Sequence, residues 1–206
     1  MNPQLQDKSP PESMAEQRIV LHGVSWQQYE NLLSAFGEDF PALRLNYLEG
    51  VLEIMTNSPE HEKIKTTIGL LIEAYFQETR TRFVGMGSAT FRREAKRRGL
   101  EPDECYCLGK EKEVPDLAIE VVITSGNIDK LDIYQGLGVT EVWFWERGQF
   151  FLYYLRGDKY EPISRSKLLP DLDISLLTHC VRPSEQFDAV MDFRDALRNP
   201  NNSSDG

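Results

Sequence analysis

The sequence lacks a long apolar segment and has few cysteines. No apolar run approaches the roughly 18 residues that a membrane-spanning helix needs, and the polar N-terminus has no hydrophobic core of a secretion signal. The three cysteines form neither an even disulfide set nor the two clusters of a zinc site, so Cys105 and Cys107 are better explained as small core residues. We therefore expect a cytoplasmic protein with no membrane partner.

An excess of positive charge is also missing. Lys and Arg number 23 against 33 Asp and Glu, and the formal net charge is -10. This balance excludes a general electrostatic affinity for nucleic acids or anionic membranes. A DNA-binding protein of this composition would need a local basic patch, bound divalent cations, or a dimer that concentrates positive charge in one groove.

Composition divides the 206 residues into one domain and two tails. Residues 1–17 and 198–206 are polar and rich in Pro, Ser and Asn. We therefore predict that both tails are disordered. Residues 18–197 are long enough to form a single domain with a substantial core.

The spacing of apolar residues predicts the elements of this domain. Helices are predicted over residues 26–36, from Pro59 onward, over 128–137 and over 184–197, and strands over 43–48, 51–55, 82–92, 101–106, 114–122, 141–146, 149–155 and 159–163. The last three strands form an antiparallel meander. The predicted fold class is therefore α/β, with a mixed central β-sheet flanked by helices and a C-terminal antiparallel meander.

Two carboxylates on neighbouring predicted strands are the first candidates for a site. Residues 117–122 form a nearly unbroken apolar run, which is typical of a strand buried on both faces, and Glu120 interrupts it. A buried carboxylate is costly unless it is paired, protonated or bound to a cation. Glu120 is either a strand-end carboxylate that reaches solvent or one arginine, or half of a site with Asp103. If the two strands pair, Asp103 and Glu120 can share a hard divalent cation such as Mg²⁺.

Further candidates surround this pair. The carbonyl of Val121 is a potential third ligand, and Lys130, early in the next predicted helix, can reach back to orient an attacking water. Asp116 lies four strand residues before Glu120, roughly 13 Å away, so it cannot share the ion. We expect Asp116 to cap a turn or to bind Lys112 or Arg98 instead.

A basic cluster and an aromatic cluster each allow two interpretations. The basic side chains between residues 92 and 98 form either a solvated loop or a grip on DNA phosphates; they are Arg92, Arg93, Lys96, Arg97 and Arg98. The aromatic residues of the meander predict ordinary core packing, with an excess that a homodimer interface would explain; they are Trp143, Phe144, Trp145, Phe150, Phe151, Tyr153 and Tyr154.

Several of these motifs together resemble a known family. Pro102-Asp103, Glu120-x-Val122 and Lys130 resemble the PD-(D/E)xK nuclease motif, in the variant whose lysine lies on the following helix. The local sequence motifs are similar to those of the Uma-type family of that superfamily. This family is described as putative restriction endonucleases and was long catalogued as a domain of unknown function. The motifs that carry this resemblance span about residues 44–145: Gly50-Val-Leu-Glu-Ile-Met55, Ser58-Pro-Glu-His-Glu62, Glu101-Pro-Asp-Glu-Cys-Tyr106, Pro115-Asp-Leu-Ala-Ile-Glu-Val121, Asp129-Lys-x-x-x-Tyr134 and Gly138-Val-x-Glu-Val-Trp143.

The resemblance implies a restriction-endonuclease-like core and an endonuclease that hydrolyses DNA phosphodiester bonds. It implies that Asp103 and Glu120 bind Mg²⁺, or alternatively Mn²⁺, and that Lys130 assists the water. Glu53 and His61 match positions near the site; His61 either supports the site or is a polar residue in an exposed first helical turn. The departure is Val122, where the superfamily pattern has lysine.

Two other functions fit the same residues. The acidic charge and the missing strand lysine favour an inactive nuclease fold that serves as a DNA-associated or protein-interaction module. Two carboxylates and a lysine are also compatible with a metal-dependent hydrolase of small molecules, because these three residues alone do not determine substrate specificity.

Overall fold

The computed structural model describes residues 16–36, 40, 42–124 and 128–199. Within these ranges the elements follow the order β1 (Arg18–His22), α1 (Trp26–Phe36), β2 (Leu43–Leu48), β3 (Val51–Thr56), α2 (Pro59–Glu78), β4 (Phe83–Gly85), β5 (Phe91–Arg93), β6 (Arg98–Leu100), β7 (Glu104–Leu108), β8 (Leu117–Val122), α3 (Lys130–Leu137), β9 (Glu141–Glu146), β10 (Gln149–Arg156), β11 (Lys159–Ile163), α4 (Ile174–Cys180) and α5 (Gln186–Arg198). Most of the two predicted tails lies outside the described residues; Gln17 exchanges hydrogen bonds with Thr56, and Arg198 pairs with Glu78.

The strands form two sheets. The six-stranded sheet has the order β11-β10-β9-β8-β7-β4, and the five-stranded sheet has the order β1-β3-β2-β6-β5. Within the described chain, β8 and β9 are the parallel pair and α3 is their crossover connection, while the other neighbours run antiparallel. The architecture is α/β, and the predicted C-terminal meander is confirmed in β9 to β11.

Helices cover both faces of the six-stranded sheet, because its central strand β8 is apolar on both sides. Leu117, Ile119 and Val121 face α2 in the largest core cluster. Ala118, on the opposite face, packs in a second cluster with residues of α3. Helix α5 packs on α2, and α1 covers the five-stranded sheet. Glu120 shares the face of Ala118, so the fold directs its carboxylate toward α3.

Helix starts follow the local sequence closely. The Ser25 side chain accepts from the Gln28 amide at 3.2 Å, and the Gln28 side chain accepts from the Ser25 amide at 2.8 Å, which is a capping box at the start of α1. At α2, Ser58 accepts from the His61 amide at 3.1 Å and Pro59 occupies the first helical position. These contacts confirm the predicted helix starts at residues 26 and 59.

The predicted strand over residues 82–92 is wrong in one respect. It is two three-residue strands, β4 and β5, that belong to different sheets. Gly87 lies between them with φ +55, a conformation that favours glycine, so the chain turns away from the first sheet there. The basic segment that follows is not a simple loop either, because β5, a 3-10 turn over Glu94–Lys96 and β6 build the edge of the five-stranded sheet.

Candidate active site

The pairing of β7 with β8 brings the two predicted carboxylates together. Glu104 is opposite Ile119 in this antiparallel pair, so Asp103, one residue before β7, comes beside Glu120 and Val121. The Asp103 Oδ2 atom accepts a hydrogen bond from the Val121 amide at 2.8 Å. Asp103 is 4% exposed and Glu120 is fully buried. The predicted adjacency of the two strands is therefore present.

Helix α3 supplies two partners for Glu120. Lys130 is its first residue and its Nζ lies 2.6 Å from Glu120 Oε2. Tyr134, one turn later, donates its hydroxyl hydrogen bond to Glu120 Oε1. The spacing of four residues places both side chains on one helix face. Tyr134 has no site role in the sequence prediction, although its i+4 spacing from Lys130 was a usable signal.

Helix α2 supplies a partner for Asp103. The Ser58 cap fixes the first turn of this helix and with it His61, whose Nε2 lies 3.1 Å from Asp103 Oδ2. His61 is 1% exposed, so the interpretation of a polar residue in an exposed turn is wrong. Its burial depends on the distant Asp103 and could not be recognised from the helix sequence alone.

The four groups form two pairs, each of one acidic and one basic side chain: Asp103 with His61, and Glu120 with Lys130. Burial would lower the pKa of His61, but its hydrogen bond with Asp103, the Glu62 carboxylate 3.6 Å from Nδ1 and the charge of Asp103 raise it to about 9, so the imidazole is cationic at neutral pH. Burial would raise the pKa of Asp103, yet the His61 hydrogen bond, the His61 charge and the Lys130 charge hold it below its ordinary value. Asp103 is therefore a carboxylate.

Burial has a larger effect on Glu120. It raises the pKa of this carboxyl to about 7, and the charge of Lys130 offsets only part of that rise, so Glu120 is close to half protonated at neutral pH. For Lys130, burial would lower the pKa, but the neighbouring charges of Glu120 and Asp103 raise it. The lysine therefore stays protonated, held by the carboxylates that it faces.

Glu53 contributes a third acidic group nearby. It is fully buried on β3, where Asn46 donates to its Oε1 at 3.2 Å and Arg18 Nη1 lies 3.4 Å from its Oε2. Its charge also helps to raise the pKa of Lys130. Glu53, Val121 and Lys130 all line one pocket of about 350 Å³.

Two members of the predicted basic cluster, Arg93 and Arg98, pack along α3. Arg98 donates to the Asp132 carbonyl at 3.1 Å and pairs with Glu49 at 3.0 Å, and Arg93 donates to the Gly136 carbonyl at 3.4 Å. Gly136 is six residues beyond Lys130, roughly 9 Å along the helix. The remaining members of the cluster are placed as follows: Arg92 pairs with Glu30 at 3.3 Å, Arg97 donates to the Tyr47 hydroxyl at 3.2 Å, and Lys96 lines a groove with Arg97 and Arg98. The structure does not bring these side chains to the carboxylates.

Other predicted features have clear positions. Asp116 binds Lys112 at 2.6 Å, as one of the two expected arrangements. Cys105 and Cys107 are free, buried thiols on one face of β7. In the part of the chain that the structure describes, no group of three or more His, Cys, Asp or Glu side chains is arranged around a common point for a metal ion, and no helix is both long and apolar enough to cross a bilayer.

Fold and site together define a restriction-endonuclease-like protein. Its six-stranded mixed sheet carries two convergent carboxylates on paired strands, with a lysine above them from the next helix. The chain belongs to the Uma2 family, whose description is "Putative restriction endonuclease", and the family model matches residues 26–182. That match includes Glu53, His61, Asp103, Glu120 and Lys130. A search of curated proteins found no match.

Proposed function

We propose that this protein is a Mg²⁺-dependent endonuclease that hydrolyses phosphodiester bonds of DNA at Asp103, Glu120 and Lys130. One observation carries the proposal: the Lys130 ammonium reaches the buried Glu120 carboxylate at 2.6 Å from the following helix. Val122 leaves the strand without the superfamily's lysine. A cation from α3 supplies the missing positive charge beside the same carboxylates.

The donor set suits a hard divalent ion. Mg²⁺ is commonly bound by one or two carboxylates, with waters and substrate phosphate oxygens completing its shell. Asp103, Glu120 and the carbonyl of Val121 would hold it, and Mn²⁺ fits the same oxygens. The hydrogen bonds of Asp103 to described residues all use Oδ2, so Oδ1 remains as a ligand atom. When bound, such an ion activates water near neutral pH and stabilises charge on the scissile phosphate.

The chain's own groups have distinct tasks in this proposal. Lys130 holds the attacking water and compensates the charge that develops on the phosphate. His61 is a positioning residue, because its cationic ring fixes Asp103 from the side of α2. Tyr134 fixes the second oxygen of Glu120. Both carboxylates therefore present defined oxygens before a substrate arrives.

A second function has its own supporting observation. Each carboxylate already has a close cationic partner within the fold, Lys130 for Glu120 and His61 for Asp103. Such an internally paired network is also what an inactive nuclease fold would retain, as a DNA-associated or protein-interaction module. A homodimer and a cytoplasmic location stay predictions from the sequence.

Cleavage with matched variants distinguishes the two functions. Supercoiled plasmid and a single-stranded oligonucleotide are incubated with the protein and Mg²⁺, and nicked and shortened products are quantified. We expect cleavage that Asp103→Asn, Glu120→Gln and Lys130→Met each abolish. The control is Asp116→Asn, which changes the other Pro-Asp pair of the sequence and leaves the site intact. Cleavage that survives both carboxylate variants would refute the assignment, and a folded protein that never cleaves either substrate supports the module.

A further inference from the structure

The sheet face that carries Glu120 continues into an aromatic surface. Glu120 is directly opposite Phe144 across the parallel pair, and Phe144 is directly opposite Phe151 in the next pair. Cross-strand partners point to the same side of a sheet, and neighbouring strands are roughly 4.8 Å apart. Phe144 therefore stands beside Glu120, and Phe151 lies one strand further, with its backbone roughly 10 Å from that of Glu120.

These rings line the same pocket as Lys130. Phe144, Phe151 and Tyr153 form its wall on the side of the meander, and Phe144 meets Tyr153 edge-on at 5.8 Å between ring centroids. Phe151 is 39% exposed, which is unusual for a large aromatic residue within a sheet. The volume of about 350 Å³ is at the small end of the roughly 300–1000 Å³ typical of ligand pockets.

We propose that this pocket binds an unpaired nucleobase, so that the substrate class is single-stranded or locally unpaired DNA. This inference rests on the proposed nuclease function for its chemistry. Aromatic side chains stack on the face of a base only where that base has left the duplex. A base on Phe151 places its own backbone phosphate toward Lys130 and the two carboxylates.

Charged side chains of both signs line this pocket. Arg18 and Lys130 are its cations, and Arg18 is anchored through Thr124 and Glu53 at 3.3 and 3.4 Å. Its three acidic residues have partners within the fold: Glu53 pairs with Arg18, Asp129 accepts from the amides of Leu131 and Asp132 as the cap of α3, and Glu146 pairs with Arg147 at 3.5 Å.

The net charge of the protein points the same way. Duplex binding relies on many phosphate contacts and on the release of counterions, and a chain of net charge -10 offers few such contacts. Single-strand binding also uses positive charge, but the stacking of bases on aromatic rings adds affinity that needs no phosphate contact. The affinity of this protein for a single strand should therefore come mainly from Phe151 and its neighbours.

Binding without cleavage tests the pocket independently of catalysis. The full chain in EDTA is titrated with a 12-nucleotide single strand that contains 2-aminopurine, and separately with the corresponding duplex. We expect at least a tenfold preference for the single strand, and quenching of the base fluorescence. Phe151→Leu keeps an apolar side chain but removes the ring, and should weaken single-strand binding by about fivefold or more. Phe151→Ala should do the same.

The matched control is Phe187→Ala. Phe187 is 76% exposed on α5, on the far side of the sheet, and its removal should leave both affinities unchanged. Equal affinity for duplex and single strand, or unchanged single-strand binding in Phe151→Leu, would overturn the base pocket. If the ring dependence is found but no variant or wild type cleaves DNA, the pocket stands and the proposed catalysis fails. If the wild type cleaves DNA and the Phe151 variants bind and cleave like it, the proposed catalysis stands and the base pocket is refuted.

Discussion

Replacing Lys130 with methionine should destabilise the fold, because the buried Glu120 loses its cation and must either stay charged at a cost or take up a proton. Glu120 is fully buried and Lys130 Nζ lies 2.6 Å from it, with 18% of the lysine side chain exposed. Removal of one member of a buried pair typically costs about 3–5 kcal/mol. The Tyr134 hydroxyl stays on the other oxygen, so we expect the lower value, about 3 kcal/mol. For a chain of this size that corresponds to a fall in Tm of roughly 6–12 °C.

The fold offers a control with the same geometry and different burial. Lys112 lies 2.6 Å from Asp116, but its side chain is 39% exposed. Exposed pairs contribute about 1 kcal/mol or less, so Lys112→Met should cost at most that. The double variant Lys130→Met with Glu120→Gln removes the uncompensated charge and should recover at least about half of the loss.

Urea denaturation followed by tryptophan fluorescence gives the free energy of unfolding for each variant. A non-additive cycle with a coupling of about 1.5 kcal/mol or more would confirm that the pair acts as a unit. If Lys130→Met costs no more than Lys112→Met, the structural basis of this argument is wrong, since burial would then make no difference between two pairs of equal length.

Three further results are expected. His61→Ala should lower cleavage roughly 10- to 100-fold, as loss of a residue that orients a ligand does, and should weaken Mn²⁺ binding measured by calorimetry. Mn²⁺ at about 100 times its Kd should stabilise the protein by about 2.7 kcal/mol in a denaturation assay, and Asp103→Ala or Glu120→Ala should remove that increment. Gly99→Ala should destabilise the fold by about 1–3 kcal/mol, because a Cβ there would lie 2.7 Å from Tyr29 Cζ; unchanged urea midpoints would contradict this.

The sequence alone predicted two of the central residues of the site, Glu120 and Lys130. Glu120 was visible because it interrupts an apolar strand, and Lys130 because it follows at the start of the next helix. Both signals are local, and β7 and β8 are sequence neighbours whose pairing needed no distant information. The position of His61 against Asp103 depends on contact between residues 42 positions apart, which helix periodicity does not encode.

Other parts of the fold were beyond local patterns. The five-stranded sheet includes β5 and β6, which have three residues each and are too short for a reliable alternation. The charges of residues 92–98 indicated an exposed segment, yet Arg98 has only 12% of its side chain exposed and lies along α3 between Asp132 and Gly136. A run of charged residues in the sequence does not show which of the side chains will be buried by tertiary contacts.

The crossover between β8 and β9 has one more effect on the neighbourhood of Glu120. The ammonium group beside Glu120 belongs to Lys130 of α3, so the strand itself need not carry a lysine. The corresponding strand position is Val122, which lies on the same side of the sheet as Glu120. That valine borders the cavity together with Phe144. A lysine at this place would fill the space with a charged chain, so a cation supplied by the helix leaves an open recess next to Glu120.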